Sequence, residues 1–165
     1  MSLTSASPAP ETGHEQLQLG RQLCFALYTA SRAVTRAYAE PLGELGLTYP
    51  QYIVLLALWA RPDEPLTVGA LGQAVQLDSG TLTPLLKRLE AAGLVHRRRD
   101  QADERRVLIE LTAAGRALRD RAAAVPRVMT ERFGLAPDRL AALRDELHRL
   151  AAELDDGLPA GPERG

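Results

Sequence analysis

The 165-residue sequence predicts a mainly α-helical domain with one small β-hairpin. Three observations lead there. Apolar residues recur at helical spacing in segments bounded by Pro, Gly and short polar capping residues. Two short apolar and β-branched runs flank a polar connection, Asp100 to Arg105, as a hairpin requires. The length suits one domain able to bury its own core.

Taken in order, Leu17 to Glu40 reads as one long helix, with Leu23, Leu27, Val34 and Tyr38 recurring on one side. Pro41 and Gly43 loosen it, and Gly46 ends it. Thr48-Tyr49-Pro50 is a helix start, Thr48 capping and Pro50 in the first turn. Gln51 to Ala60 is almost wholly apolar, so that helix is buried on most sides. A loop at Arg61 to Pro65 leads to two short helices, Val68 to Val75 and Thr81 to Ala92, joined by the turn Leu77-Asp78-Ser79-Gly80. With Ser79 or Thr81 as the cap, Pro84 falls near the first turn, where a missing N–H costs least. Gly93 ends the helix in a left-handed conformation. Leu94 to Arg99 and Arg106 to Leu111 are the hairpin strands. Thr112 caps a helix running to about Met129, and Pro137 opens a last one ending near Leu154. Residues 1–13 and 155–165, rich in Pro, Gly and charge, read as disordered tails around a single domain over 14–154.

Composition narrows the function. No apolar run approaches the roughly 20 residues of a membrane span, and the first ten residues lack the regions of a secretion signal, so a cytoplasmic protein with no membrane partner is expected. One cysteine excludes an internal disulfide framework. The three histidines, His14, His96 and His148, are too scattered for a Cys/His metal site, and no metal or other cofactor is expected. The net charge of −1 means that a nucleic-acid partner must be held by a local basic patch. Lys87 to Arg106 supplies one: seven basic residues against four acidic give +3, whereas the chain from Glu131 onward, with five basic and eight acidic, carries −3.

A charged stretch alone is most simply a solvated face, but its context points further. A short helix, a tight turn, a second helix rich in Ser/Thr and ending Lys-Arg, then a basic hairpin compose a winged helix-turn-helix. The second helix enters the major groove, about 12 Å wide. Ser79, Thr81 and Thr83 sit at the end that meets DNA, Lys87 and Arg88 suit phosphates, and arginines of the hairpin, among them Arg97 and Arg105, suit the minor groove. Leu94 to Thr112 resembles the wing of MarR-type repressors, whose D-x-R-x5-L-T pattern is met by Asp103, Arg105, Leu111 and Thr112. The resemblance runs on through Asp78 to Arg88 and covers about 17–154. It implies that Asp103 braces the hairpin while Arg105 points to the minor groove. It also implies that residues about 48–111 bind operator DNA, and about 14–47 and 112–154 form a homodimer.

The lone cysteine is, by itself, most simply a small buried hydrophobe. Its neighbours Gln22-Leu23-Cys24-Phe25-Ala26-Leu27-Tyr28, with Tyr38 and Thr48-Tyr49-Pro50-Gln51-Tyr52 beyond, resemble the organic-hydroperoxide-sensing branch of that family, in its one-cysteine group. The resemblance implies that Cys24 is the peroxidatic cysteine and that the hydroxyls of Tyr38 and Tyr49 bind its sulfur. The attacking species is the thiolate, and a free thiol ionises only near about 8.5. Cys24 is expected mid-helix, beyond reach of the helix dipole, so hydrogen bonds from the two phenols must favour the anion. Arg21, three residues earlier, adds a weaker electrostatic effect. Fourteen residues along one helix are about 21 Å, so Tyr38 must reach Cys24 from a second, antiparallel subunit.

The expected function is therefore a repressor that binds DNA when reduced and releases it when organic hydroperoxides oxidise Cys24. Phe25, Tyr28 and Trp59 line the peroxide pocket, and with no second cysteine the oxidised sulfur reacts on with a small cellular thiol or the backbone, or overoxidises. The alternative is a repressor released by a phenolic or fatty-acid ligand, with Cys24 merely structural. An enzyme is not expected, because nothing resembles a catalytic Cys-Arg-Thr pocket.

Overall fold

The computed structural model describes residues 17–157. The expected N-terminal tail, and residues 158–165 of the expected C-terminal one, lie outside them. Within the described chain the mainly helical reading holds, with several boundaries moved for identifiable reasons.

The first long helix does not begin at Leu17. A 3-10 turn at Leu19–Arg21 is followed by Gln22 in an extended conformation (φ −83°, ψ 120°), and only then by α1, Leu23–Gly43. Gly20 weakens any helix that would include it, and Leu17, Leu19 and Leu23 are exposed, so no burial within the chain offsets that weakness. Cys24 consequently stands in the first turn of α1 rather than mid-helix. At the other end α1 runs through Pro41. That proline lacks the N–H that would bond the Ala37 carbonyl four residues back. The Arg132 guanidinium donates to the Ala37 carbonyl instead, at 2.7 Å, and also pairs with Glu40. The helix closes with the Leu47 N–H on the Leu42 carbonyl at 2.9 Å and Gly46 at φ +70°.

Thr48 caps α2, Tyr49–Trp59, its N–H donating to the Gln51 side chain at 2.8 Å. Tyr52, Val54, Leu55, Leu58 and Trp59 are buried, as the apolar run predicts. The two-residue strand β1, Leu66–Thr67, gives no period to read in sequence. Helices α3, Val68–Val75, and α4, Ser79–Ala91, form the helix-turn-helix, with Gln76 left-handed at φ 53° between them. The cap of α4 is Asp78, not Ser79 or Thr81: its carboxylate accepts the Thr81 N–H at 2.9 Å. Pro84 therefore falls inside the helix. The Gly80 carbonyl that loses its partner belongs to an exposed residue, where water substitutes cheaply.

Strands β2, Val95–Arg99, and β3, Val107–Leu111, pair antiparallel with Arg97 opposite Ile109. β1 joins the far edge of β3 with Leu66 opposite Ile109, giving a three-stranded sheet of order β1-β3-β2. The helix expected from Thr112 to about Met129 is two: α5, Ala113–Ala122, and α6, Val125–Phe133. Pro126 restarts the chain as a first-turn residue and cannot continue α5. After Gly134 at φ +62°, α7 spans Pro137–Gly157, three residues beyond the expected end at Leu154.

The core is built mainly from α2, α3, α4 and the sheet, where Leu55, Leu58, Leu71, Leu82, Leu86, Leu89, Val95 and Ile109 are almost wholly buried. The first half of α1 and all of α7 contribute no residue to it. Leu23, Tyr28, Leu143, Leu147 and Leu154 on those helices are exposed.

Candidate nucleic-acid interface and tyrosine cluster

The helix-turn-helix and the hairpin meet at a groove lined by Thr83, Arg97, Arg105 and Arg106. Leu82, Leu85, Leu86 and Leu89 anchor α4 in the core, which leaves Ser79, Thr81, Lys87 and Arg88 exposed. The Thr81 hydroxyl donates to Asp78 at 3.0 Å. Together with the Thr81 N–H, that bond holds the Asp78 carboxyl below its ordinary range, so the cap is ionised at neutral pH. Thr83 is half-buried in a groove of about 430 Å³ between α3, α4 and the hairpin, shared with Arg97, Arg105 and Arg106.

At the hairpin tip Asp103 accepts the Arg105 N–H at 3.1 Å and its Nε at 3.3 Å. Asp100 accepts the Ala102 N–H at 3.0 Å and pairs with Arg106 at 3.9 Å. The turn is thus tied by two carboxylates while the Arg105 side chain stands 93% exposed. Arg97 behaves differently. Its backbone N–H donates to Glu90 at 3.2 Å, its guanidinium lies 3.7 Å from the same carboxylate, and only 25% of the side chain is exposed. Arg97 ties the hairpin to the end of α4, a role its position in an arginine run does not advertise. Glu90 and Asp78, which the sequence reading did not count among the site residues, set this geometry.

The aromatic residues gather elsewhere. Tyr38 of α1 and Tyr49 of α2 lie with ring centroids 4.8 Å apart. Tyr52, which the sequence reading left out of the site, stands 5.9 Å from Tyr38, and Trp59 a further 6.3 Å from Tyr52. Burial, then the neighbouring Tyr49 and Tyr52, pushes the Tyr38 phenol up to about 12. Burial raises Tyr49 as well, and burial with Tyr49 raises Tyr52. All three remain protonated, and so able to donate a hydrogen bond, throughout the physiological range.

Cys24 is exposed, at the opposite end of α1 from Tyr38. The helix is unbroken between them, so the separation of roughly 21 Å stands, and one chain does not bring sulfur and phenols together. Nor does one chain assemble the expected peroxide pocket. Phe25 and Tyr28 stack at 6.5 Å near the start of α1. Trp59 instead lines a cavity of about 280 Å³ with Tyr52, Leu56, Arg119, Ala122 and Pro126. Among the described residues no cluster of His, Cys, Asp and Glu suits a metal ion, and no helix is long and apolar enough to cross a membrane.

The family model described as transcriptional regulator SarA/Rot matches residues 36–121, the stretch containing the helix-turn-helix and hairpin. The organic hydroperoxide resistance transcriptional regulator of Bacillus subtilis is 42% identical over 144 residues, covering 87% of this chain and 97% of its own. The chain belongs to the MarR-like winged-helix transcriptional regulators, in the organic-hydroperoxide branch. The HTH-type transcriptional regulator TtmR of Methylorubrum extorquens is 48% identical over 158 residues, 91% of this chain and 79% of its own. Among solved structures, reduced AbfR bound to DNA, from a protein of Staphylococcus epidermidis, superposes with a TM-score of 0.69 at 38% identity, covering 87% of this chain and 99% of that one. In this winged-helix fold α3 and α4 are the two helices of the helix-turn-helix and β2–β3 the wing. Its single cysteine places it in the one-cysteine group.

Proposed function

We propose that this regulator is a homodimeric repressor that holds operator DNA while Cys24 is reduced and lets go when an organic hydroperoxide oxidises it. The observation that carries this reading is the tyrosine cluster: half-buried phenols held as hydrogen-bond donors, in a chain whose only sulfur nucleophile lies at the other end of the same helix. An antiparallel second copy of α1 unites the two halves. The exposed leucines of α1 and α7 supply the apolar surface that such pairing buries.

In the united site Tyr38 and Tyr49 donate to the sulfur and favour its anion. The thiolate attacks the distal oxygen of the hydroperoxide. An S–O bond forms, the O–O bond breaks, and the alkoxide leaves and takes a proton to become the alcohol. Sulfur is oxidised by two electrons to the sulfenic acid. No second cysteine is present to resolve it, so a small cellular thiol condenses with the sulfenic acid and expels water. Losing the anion removes what the phenols bound, and added bulk at the two-fold interface changes the spacing of the recognition helices, which must sit about 34–36 Å apart to meet successive major grooves.

On DNA, Ser79, Thr81 and Thr83 face base edges, Lys87 and Arg88 face phosphates, and Arg105, braced by Asp103, enters the minor groove; Arg97 holds the wing to the recognition helix. The known structures of reduced and of overoxidised AbfR on DNA support a redox-linked reading. The test is a gel shift on the DNA beside the protein's own gene. Organic hydroperoxide is expected to release the wild type and to leave Cys24→Ser bound. Release of both would put a non-covalent ligand in place of the redox switch.

A further inference from the structure

Trp59 stands where the tyrosine cluster meets the root of the wing. Its indole N–H is buried and donates to the Gly115 carbonyl at 2.9 Å. Gly115, in the first turn of α5, is pressed under the wing so closely that a Cβ there would lie 2.0 Å from the Leu94 carbonyl oxygen. The Thr112 N–H donates to that same carbonyl at 3.1 Å. The Thr112 hydroxyl donates to the Gly93 carbonyl at 2.7 Å and accepts the Gly115 N–H at 2.9 Å. Both strands of the wing spring from this joint, β2 starting at Val95 and β3 ending at Leu111.

On its other side Trp59 meets Tyr52 edge-on, and Tyr52 in turn meets Tyr38. The aromatic rings therefore form one continuous line from the phenols of the sensor to a hydrogen bond at the wing's root. Trp59 also lines the cavity of about 280 Å³ together with Tyr52. At about 3.4 Å per residue the five-residue strands put the Arg105 tip roughly 17 Å from the joint. A small rotation at the root becomes a larger displacement at the tip.

We propose that Trp59 is a positioning residue that transmits the state of the Tyr38–Tyr49–Tyr52 cluster to the wing through its bond to Gly115, and so sets how Arg105 meets DNA. This rests on the reading of the cluster as the sensor. The coupling to the wing is nonetheless measurable with reduced protein and no peroxide. Trp59→Phe keeps an aromatic ring and removes the donor. On an operator duplex selected with the reduced protein from a random pool, it is expected to weaken binding about three- to tenfold, by the worth of one buried hydrogen bond. The dependence on salt should become shallower, as when a basic contact is lost.

A role confined to packing predicts neither that slope nor the decisive result: in an Arg105→Ala background, Trp59→Phe should cost almost nothing further. Unchanged binding by Trp59→Phe, or losses that simply add to those of Arg105→Ala, would overturn the proposal. Trp59 is the sole tryptophan, so a second measurement needs no change at that position. Its indole N–H resonance should move between wild type and Tyr38→Phe, and an unmoved resonance would equally overturn the relay. Failure of peroxide to release the wild type in the same assay would instead remove the sensor reading on which the direction of the signal depends.

Discussion

Tyr38 and Cys24 show how different the environments of two reactive groups on one helix can be. The phenol is half-buried against Tyr49 and Tyr52, and the thiol is exposed. A tyrosine raised in the folded state and ordinary in the unfolded one binds its proton more tightly when folded. Its contribution to stability is complete below about pH 10 and is lost as pH climbs through its folded value near 12. A phenolate absorbance titration should accordingly show three of the four tyrosines ionising later in the native protein than after unfolding, with stability falling over that window. Coincident native and unfolded titrations would contradict the burial argument. Cys24, Tyr38 and Tyr49 stand out in the sequence because they match the pattern of the family branch the chain resembles. Tyr52 does not, since an aromatic in an apolar helical run reads as core. Arg97 was misread for the opposite reason: in a run of three arginines nothing marks the one whose backbone and side chain both face Glu90.

Helix boundaries moved wherever a tertiary contact overrode a local rule. Pro41 should end α1, yet the helix continues because Arg132 of α6, ninety-five positions from Ala37, satisfies the orphaned carbonyl. No sequence window contains both partners. Arg132→Ala should fray the last turn of α1 and lower stability by about 0.5–1.5 kcal/mol, the net worth of that partly exposed hydrogen bond. Adding Pro41→Ala restores an N–H to the helix and should recover much of the loss. Chemical denaturation of the two variants checks this, and an Arg132→Ala protein as stable as wild type would show that the carbonyl is satisfied some other way. The elements that were correctly expected, α2, α3 and the wing, have strong local signals: the Thr48 capping box, the Thr67 and Thr112 caps, and a polar hairpin tip between apolar strands. The cap of α4 lies one residue before Ser79 because Asp78, Ser79 and Thr81 are all good caps and only backbone geometry chooses among them.

At the scale of the whole molecule, the chain holds the two separated parts of the proposed sensor and an uncovered apolar surface. The helix-turn-helix and the hairpin are held within one copy by the buried core. The sensor is divided between the two ends of α1, and no single chain closes a distance of roughly 21 Å. The central claim, that sulfur and phenols meet across two subunits, is tested most directly by mixing Cys24→Ser protein with Tyr38→Phe protein and following oxidation of Cys24 by organic hydroperoxide. Each variant alone lacks a working site. In the mixed dimer the intact Cys24 of one subunit faces the intact Tyr38 of the other, so that thiol should regain the wild-type oxidation rate. A mixture whose Cys24 reacts no faster than in the Tyr38→Phe homodimer would contradict the account.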